Sequence, residues 1–417
     1  MIDYAAPQEP IPAPEPPTRA RPPREWVREN LFDGRLNSVL TVVFALLLGF
    51  ALYRIGRFVF MDARWEIVER NLTNLLVFRF PRDELWRLWL SLGFLAAALG
   101  LGAGTAATGR AAEVAEGRAQ ATSPWLALRR AGPLLVLVAV LLWFAKSPTA
   151  VLLVGVVAAV ALAFRFAGRR VPHRHARWAW SGVAAGILLS YLAITAFDGV
   201  GWERWGGIHL TIFLAVAGIV LSFPFGVLLA LGRRSSFPAV RLVCTAYIEL
   251  FRGVPLITVL FMGSLVIGFF LPPTVDRPSL TTRALVALVL FTSAYVAEVV
   301  RGGLQSVPRG QTEAAMALGL SPLKTTRLIV LPQALRAVIP AMVGQFISLF
   351  KDTSLVFIIG LTELIAVSES ITKQPDFVAQ GLLTETLVFA SFVYWAGSYW
   401  MSRESQRLER RLGVGER

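Results

Sequence analysis

Long apolar runs separated by short polar segments dominate the chain. The runs cover about residues 36–58, 88–107, 132–145, 149–166, 178–196, 208–231, 247–271, 283–300, 337–349 and 355–365. Helices of about 17–25 apolar residues are long enough to cross the hydrocarbon core of a membrane. The pattern therefore predicts an all-α, polytopic membrane protein with about 10 transmembrane helices.

Two segments between these runs have patterns of their own. Residues 61–87 are amphipathic and mixed in charge, which predicts a helix lying on the membrane surface. The glycine-rich stretch from Gly100 to Gly109 favours close approach between helices. It lacks the Gly-Lys-Ser/Thr ending of a phosphate-binding loop, so we do not expect it to bind a nucleotide.

Composition supports the membrane prediction. Of the 417 residues, 55% are hydrophobic and only 16% are charged, which is too apolar for a soluble domain of this size. The net charge of +14 comes from arginine clusters between the apolar runs, an arrangement typical of cytoplasmic loops. We therefore expect the lipid bilayer, and no nucleic acid, as a partner.

Charge placement also predicts the domains and the topology. Residues 1–34 are rich in proline, alanine, glutamate and arginine, and predict a disordered cytoplasmic tail. Residues 35–200 predict an N-terminal extension of about five spans, and residues 205–412 a second membrane domain. Five crossings place residue 205 outside and three more place residue 313 inside. The basic residues after Trp400 favour a cytoplasmic C-terminus as well.

Residues 303–333 form a loop with its own start and stop signals. Gln311–Leu318 is rich in helix formers, and Gly319 suits a left-handed helix end. Ser321 can cap a second short helix, Pro322 suits its first turn, and Pro332 closes the segment. The loop predicts a short structured projection of apolar and basic side chains that docks in a groove of another protein.

The same loop resembles the EAA loop of ABC-importer permeases. The resemblance lies in Glu313-Ala314-Ala315, in Gly319, and in Ile329-x-Leu331-Pro332, which begins after nine intervening residues. It implies an ATPase-coupling surface made by Glu313, Ala314, Ala315, Leu318, Gly319, Leu323, Lys324, Ile329, Leu331 and Pro332. It also implies an ABC ATPase homodimer as partner, which binds ATP and Mg, while this chain is not an enzyme and binds no cofactor. An ordinary amphipathic connector is the alternative.

Residues 209–412 resemble the five-helix type I core of polar amino-acid ABC permeases. Tyr247–Leu256 is similar to the family signature Glu-Phe-Arg-Gly-Thr-Pro-Leu, with Val254 in place of threonine. Ser293–Gly303 and Phe350–Leu355 continue the resemblance. The extra N-terminal spans resemble the long permeases of general or acidic amino-acid systems. That implies a heterodimer with a second homologous permease, a periplasmic amino-acid-binding protein, and a multi-pass position in a bacterial inner membrane with both termini cytoplasmic.

Polar residues between apolar helical stretches indicate a substrate site. Lys351 and Asp352 offer a cation for an amino-acid carboxylate and an anion for its ammonium. The resemblance implies that Gln345, Lys351, Asp352, Thr353 and Ser354 are substrate-binding residues. Because the Gln345 amide can bond to groups of either polarity, we expect broad or glutamate/glutamine/aspartate selectivity. The alternative is a structural ion pair that locks a break in the helix.

Other charged groups are assigned structural roles. Glu249 and Arg252 stand three residues apart, as do Glu298 and Arg301, which predicts two intrahelical pairs or gate locks. His173 and His175 lack a cysteine or carboxylate partner, so we expect no metal site. Cys244 is the only cysteine, which excludes an intramolecular disulfide.

These observations predict a permease subunit of an ATP-driven ABC importer that moves polar L-amino acids into the cytoplasm. The sequence contains neither a Walker-type phosphate loop nor a nucleophile–base arrangement, so the energy must come from a partner. The alternatives are a secondary amino-acid carrier driven by an ion gradient and a membrane scaffold whose Glu313 loop recruits a regulator. Secondary carriers usually contain internal repeats, and the two halves of this chain share no evident similarity.

Overall fold

A computed structural model of the protein describes residues 22–115, 124–172, 176–270, 272 and 276–412. The α-helices are α1 Pro23–Leu31, α2 Gly34–Arg57, α3 Glu66–Val77, α4 Leu85–Ala115, α5 Pro124–Ala145, α6 Pro148–Arg169, α7 Ala176–Thr195, α8 Gly207–Arg233, α9 Pro238–Gly253, α10 Leu256–Phe270, α11 Leu280–Ser306, α12 Arg309–Ala317, α13 Pro322–Thr325, α14 Leu331–Asp352, α15 Leu364–Ile371 and α16 Leu383–Leu412. An isolated β-bridge pairs Gly207, the first residue of α8, with Glu363. The all-α prediction is confirmed.

Six segments of the described chain are long and apolar enough to cross a membrane. They are Gly34–Asp62, Leu85–Thr108, Pro148–Arg169, Gly207–Arg233, Leu280–Ser306 and Pro322–Ile359. Two shorter apolar helices, Leu134–Ala145 and Ala179–Thr195, coincide with further predicted spans. The polytopic prediction is thus confirmed, and a total of about 10 spans is consistent with these helices.

One predicted span has a different form. The run 247–271 is divided between α9 and α10, which meet at an angle of 109°. The break falls at Val254, whose backbone is extended, immediately before Pro255. Proline removes a backbone donor and disfavours helical geometry in the residue before it. The membrane crossing predicted for this run is thus divided between two helices.

The chain divides into two compact units, Met1–Arg64 and Trp65–Arg417. In the first unit, α2 buries none of its residues, as expected of a helix that faces lipid. The predicted disordered tail lies outside the described residues up to residue 21. Its remainder was predicted wrongly, because Pro23–Leu31 is helical, with a proline and Glu25 in the first turn.

The second unit contains α3 to α16, so most of the predicted N-terminal extension packs together with the second membrane domain. The boundary predicted between residues 200 and 205 does not coincide with this division. The amphipathic helix predicted within 61–87 forms as α3, but its apolar face packs on protein. Its buried residues Ile67, Leu72 and Leu75 share a core with α15 and α16.

Glycine allows α4 to pack closely on α6. A Cβ atom on Gly100 would lie 2.3 Å from the Ala161 carbonyl oxygen, and one on Gly104 would lie 2.3 Å from that of Arg165. The close approach predicted for this stretch is confirmed. Near the start of α4, Arg87 donates to the Ala196 carbonyl just beyond α7 at 2.9 Å.

The last five long elements are α8, the bent pair α9–α10, α11, α14 and α16. Helices α8 and α11 run parallel, because Thr281 bonds to the Trp202 carbonyl near one end and Arg234 to the Leu304 carbonyl at the other. Helix α14 runs in the opposite direction. We call the end that contains residues 303–333 the loop end and the other, which contains Gly207 and Glu363, the far end.

Candidate functional site

The first half of the loop 303–333 ends as predicted. Helix α12 is followed by Gly319, whose φ of +79° is in the left-handed region. The Gly319 N–H donates to the Met316 carbonyl at 2.9 Å and the Leu320 N–H to the Ala315 carbonyl at 3.1 Å. This pair of hydrogen bonds forms a Schellman motif, and glycine adopts the required left-handed backbone without steric cost.

The second half of the loop differs from the prediction. Ser321 occupies the N-cap position of α13, but its side chain makes no capping hydrogen bond. Pro332 does not close the segment, because it lies in the first turn of α14, where a missing N–H is tolerated. A π-helical turn, Thr326–Val330, leads from α13 into α14 without a break.

Apolar side chains project from the loop into the surroundings. We call this set the knob; its members and exposed fractions are Met316 50%, Leu318 83%, Leu323 78% and Leu328 59%. Exposed apolar groups on a basic loop mark an interaction surface. The predicted coupling residues fall into three groups: Glu313, Ala314, Leu318, Gly319, Leu323, Lys324 and Pro332 are exposed, Ile329 and Leu331 are partly buried, and Ala315 is buried.

Arginines and glutamates near the loop end form an interhelical network. Arg301 Nε donates to both Glu298 carboxylate oxygens, at 2.9 and 3.0 Å, so this predicted pair is present. Arg233 on α8 also reaches Glu298, at 3.4 Å, and Arg252 on α9 lies 3.7 Å from the same carboxylate. Glu298 therefore ties α8, α9 and α11 together.

The other predicted pair was wrong. Glu249 bonds to Arg233 of α8 at 2.9 Å, whereas Arg252 turns to Glu298 of α11. A spacing of three residues permits a contact within a helix, but charged groups on neighbouring helices are closer here. The five side chains of this network carry one net positive charge.

The predicted substrate residues lie where α14 ends and a 3₁₀ turn, Thr353–Ile359, begins. Lys351 is exposed, Asp352 and Ser354 are partly buried, and Thr353 is fully buried. The Thr353 hydroxyl donates to the Phe350 carbonyl at 2.7 Å. Residues adjacent in sequence therefore differ in exposure: Lys351 lies on the surface, and Thr353 lies in the interior.

Helix geometry relates these residues to the rest of α14. Seven residues make nearly two turns, so Gln345 lies on the same face as Asp352, about 10 Å away along the axis. Lys351 belongs to another face. With Ala337, Ala341, Gly344 and Ser348 it forms an exposed row of small and polar side chains, which we call the α14 stripe.

The alternative of a Lys351–Asp352 ion pair is not what the structure contains. In the described part of the chain, neither side chain takes part in a salt bridge. Adjacent residues on a helix point about 100° apart, which keeps the two groups from facing each other. Neither charge is thus held in a close ion pair, and Lys351 is the more exposed of the two.

Sequence reasoning missed one group at the far end. Glu363, the N-cap residue of α15, is fully buried and accepts a bond from the Tyr394 hydroxyl at 3.0 Å. Nothing local in the sequence distinguishes it from a surface glutamate at a helix start. The predicted histidine pair, His173 and His175, lies outside the described residues, and the described ones contain no cluster suited to a metal ion.

Comparisons with known proteins agree with this architecture. Residues 222–414 match the family described as binding-protein-dependent transport system inner membrane component. The chain is 35% identical to the inner membrane amino-acid ABC transporter permease protein YhdY of Escherichia coli, covering 94% of this chain and 93% of that one. It is 33% identical to the glutamate/glutamine/aspartate/asparagine transport system permease protein BztC of Rhodobacter capsulatus, covering 93% of each.

A crystal structure of an amino acid ABC transporter with histidines is also similar, at 29% identity and a TM-score of 0.43, over 49% of this chain and 92% of that one. The family match covers residues 222–414, which overlap most of the stretch 209–412 where an ABC-permease core was predicted. The likeness to the two long relatives extends across nine tenths of the sequence and includes the N-terminal helices. The chain therefore belongs to the binding-protein-dependent inner membrane transport components, among the amino-acid ABC transporter permeases.

Proposed function

We propose that this permease moves polar L-amino acids into the cytoplasm, with glutamate, glutamine and aspartate among its substrates. The observation that carries the proposal is the exposed ammonium of Lys351 on the α14 stripe. A charge on a membrane helix is costly in lipid, so it favours a polar cavity or a polar partner. Lys351 there suits the carboxylate of an amino acid.

The remaining groups of the site favour that substrate range. Asp352 is placed for the ammonium group common to amino acids. Gln345, two turns below on the same face, offers an amide that both donates and accepts. An acidic group at that position would favour arginine and lysine, and a neutral amide does not. The name of the Rhodobacter capsulatus relative, which refers to glutamate, glutamine, aspartate and asparagine, supports the same range.

The α14 stripe also supports a second permease as partner. Small side chains such as Ala341 and Gly344 allow close approach of another membrane helix. A homologous permease on this side would enclose Lys351 in a path between the two subunits. A periplasmic amino-acid-binding protein would deliver the substrate at the far end.

Energy enters at the knob. An ABC ATPase homodimer, which would bind ATP and Mg, would cover Leu318 and Leu323 in apolar grooves. The loop end then faces the cytoplasm, in agreement with its arginines. Helix α16 ends at the loop end as well, which supports a cytoplasmic C-terminus, and the arginine-rich N-terminal segment favours a cytoplasmic N-terminus.

Uptake by membrane vesicles that contain the complete transporter tests the substrate range. We expect labelled glutamate and glutamine to accumulate in the vesicles when ATP is supplied on the side of the membrane where the ATPase is bound. Unlabelled arginine should inhibit this uptake only weakly. Uptake that persists with an ion gradient and no ATP would support the secondary-carrier alternative instead.

Lys351→Gln tests the site. Because the amide cannot pair with a carboxylate as strongly as an ammonium, we expect KM for glutamate to rise at least tenfold. Lys373→Gln is the control, since Lys373 is also exposed but lies beyond α15. An unchanged KM in Lys351→Gln would refute the assignment.

Leu323→Asp tests the knob. A carboxylate in an apolar groove of the ATPase would be unpaired, so we expect co-purification of the ATPase and ATP-driven uptake to be lost. Leu408→Asp, an exposed leucine of α16 outside the knob, serves as control and should retain both. If the protein were a membrane scaffold without a transport role, amino-acid uptake would be the same in Leu323→Asp, Leu408→Asp and the wild type.

A further inference from the structure

A cluster of buried polar side chains lies behind the turn that carries the proposed substrate residues. Its members are Thr211, Thr353, Glu363 and Tyr394. Thr211, Thr353 and Glu363 are at most 1% exposed. One oxygen of the Glu363 carboxylate accepts from the Ala366 N–H at 2.9 Å, and the other accepts from the Tyr394 hydroxyl at 3.0 Å. Buried carboxylates are costly unless their oxygens are bonded, and both are bonded here.

The cluster joins four elements of the core. The backbone before Glu363 is bound to the start of α8, where the Gly207 N–H donates to the Thr362 carbonyl at 2.9 Å. The Leu364 N–H donates to the Thr211 hydroxyl at 3.3 Å. The Tyr394 hydroxyl of α16 also lies beside the hydroxyls of Thr211 and Thr353. Glu363 is therefore connected through one tyrosine to the 3₁₀ turn.

That turn sets the direction of Lys351 and Asp352. Thr353 follows Asp352 directly, and its burial fixes the end of α14 against the interior. Phe350, one residue before Lys351, packs on Tyr394 with ring centroids 5.3 Å apart. Tyr394 thus holds the segment on both sides of the charged pair, and Glu363 holds Tyr394.

No cation neutralises Glu363 in the described part of the chain. The titratable groups that face it are the Tyr394 hydroxyl from α16 and the Glu369 carboxylate from its own helix, α15. From α8, the Thr211 hydroxyl contacts the N–H of the next residue, Leu364. Burial raises the pKa of the Glu363 carboxyl to about 7, against the lowering effect of its bonds from Ile365, Ala366 and Tyr394. The carboxyl thus exchanges a proton near neutral pH.

We propose that Glu363 is a positioning residue for substrate binding, which holds Lys351 and Asp352 in place through Tyr394 and whose ionised form binds substrate better. The proposal rests on the role of Lys351 and Asp352 proposed above. When ionised, Glu363 only accepts, so the Tyr394 hydroxyl must donate to it. When Glu363 is protonated, its own O–H can donate to Tyr394, and the tyrosine hydroxyl is free to reorient away from it.

Initial rates of ATP-driven glutamate uptake by the complete transporter, between pH 6 and 8, test the proposal. The substrate carboxylates keep their charge over this range, so the pH dependence belongs to the protein. We expect KM to rise about fivefold from pH 8 to pH 6, the effect of about one buried hydrogen bond, while Vmax stays nearly constant.

Three variants separate the possible causes. Glu363→Gln cannot ionise, so KM should lose its pH dependence. Tyr394→Phe breaks the link and should raise KM at every pH. Glu203→Gln removes an exposed carboxylate just before α8 and should leave the profile unchanged.

The outcome that overturns the proposal is a wild-type pH dependence of KM in Glu363→Gln. If Glu363→Gln does not accumulate in the membrane, Tyr394→Phe decides, and a wild-type KM profile in that variant would also overturn it. If instead Lys351 does not bind substrate, Lys351→Gln would leave KM unchanged at all pH values. That result distinguishes an error in the proposed substrate site from an error in the role of Glu363.

Discussion

The two ends of the second unit are built from different kinds of interaction. The loop end carries the exposed knob and a network of partly exposed arginines and glutamates, which can exchange partners at little cost. The far end is held by buried hydroxyls, the Glu363 carboxylate and close backbone contacts around Gly207. The loop end is thus suited to receive a moving partner, and the far end to hold a binding site in fixed geometry.

The largest effect is expected from Gly207→Ala at the far end. Gly207 has a φ of +57°, and a Cβ atom would lie 2.3 Å from the Leu75 carbonyl oxygen. Backbone strain and overpacking together predict a loss of about 3–5 kcal/mol in the free energy of unfolding. Thermal unfolding in detergent measures it.

Gly381→Ala is the matched control for that change. Its φ of +68° is equally unfavourable for alanine, but no atom lies within 4 Å of the added Cβ. We expect only about 1–2 kcal/mol of strain there. Equal losses in the two variants would show that α3 does not pack on the start of α8 as described.

A smaller effect is expected from Glu298→Ala at the loop end. The substitution leaves Arg233, Arg252 and Arg301 without their shared carboxylate. Since these groups are about a quarter to a third exposed, solvent screening reduces the loss to about 2 kcal/mol. Glu249→Ala, at a more exposed glutamate, should cost less than 1 kcal/mol. The reverse order would place the centre of the network on α9.

Gly319→Ala should have a small effect on stability and a clear one on coupling. The left-handed backbone at Gly319 costs alanine about 1 kcal/mol, although no atom lies within 4 Å of the added Cβ. We expect transport-coupled ATP hydrolysis to fall while unfolding changes little. Gly310→Ala, in the same loop and without a positive φ, should leave ATP hydrolysis unchanged.

Much of this protein follows from short-range information in the sequence. The apolar runs predicted the membrane helices, because a segment that crosses a bilayer as a helix needs about 20 apolar residues in a row. The end of α12 at Gly319 was also predictable, because a helix end depends on a few consecutive residues. Sequence motifs also identified the family, and Arg301 was correctly paired with Glu298 one turn away.

Only the tertiary structure decided which distant groups meet. Glu249 and Arg252 chose partners on α8 and α11, α3 packed on protein instead of lipid, and the bend at Pro255 divided an apolar run that looked continuous. Glu363 meets Tyr394, 31 positions away, and the N–H of the next residue, Leu364, meets Thr211, 153 positions away. The spacing of apolar residues in the sequence indicates which face of a helix is apolar. Which element packs against that face depends on the packing of the whole unit.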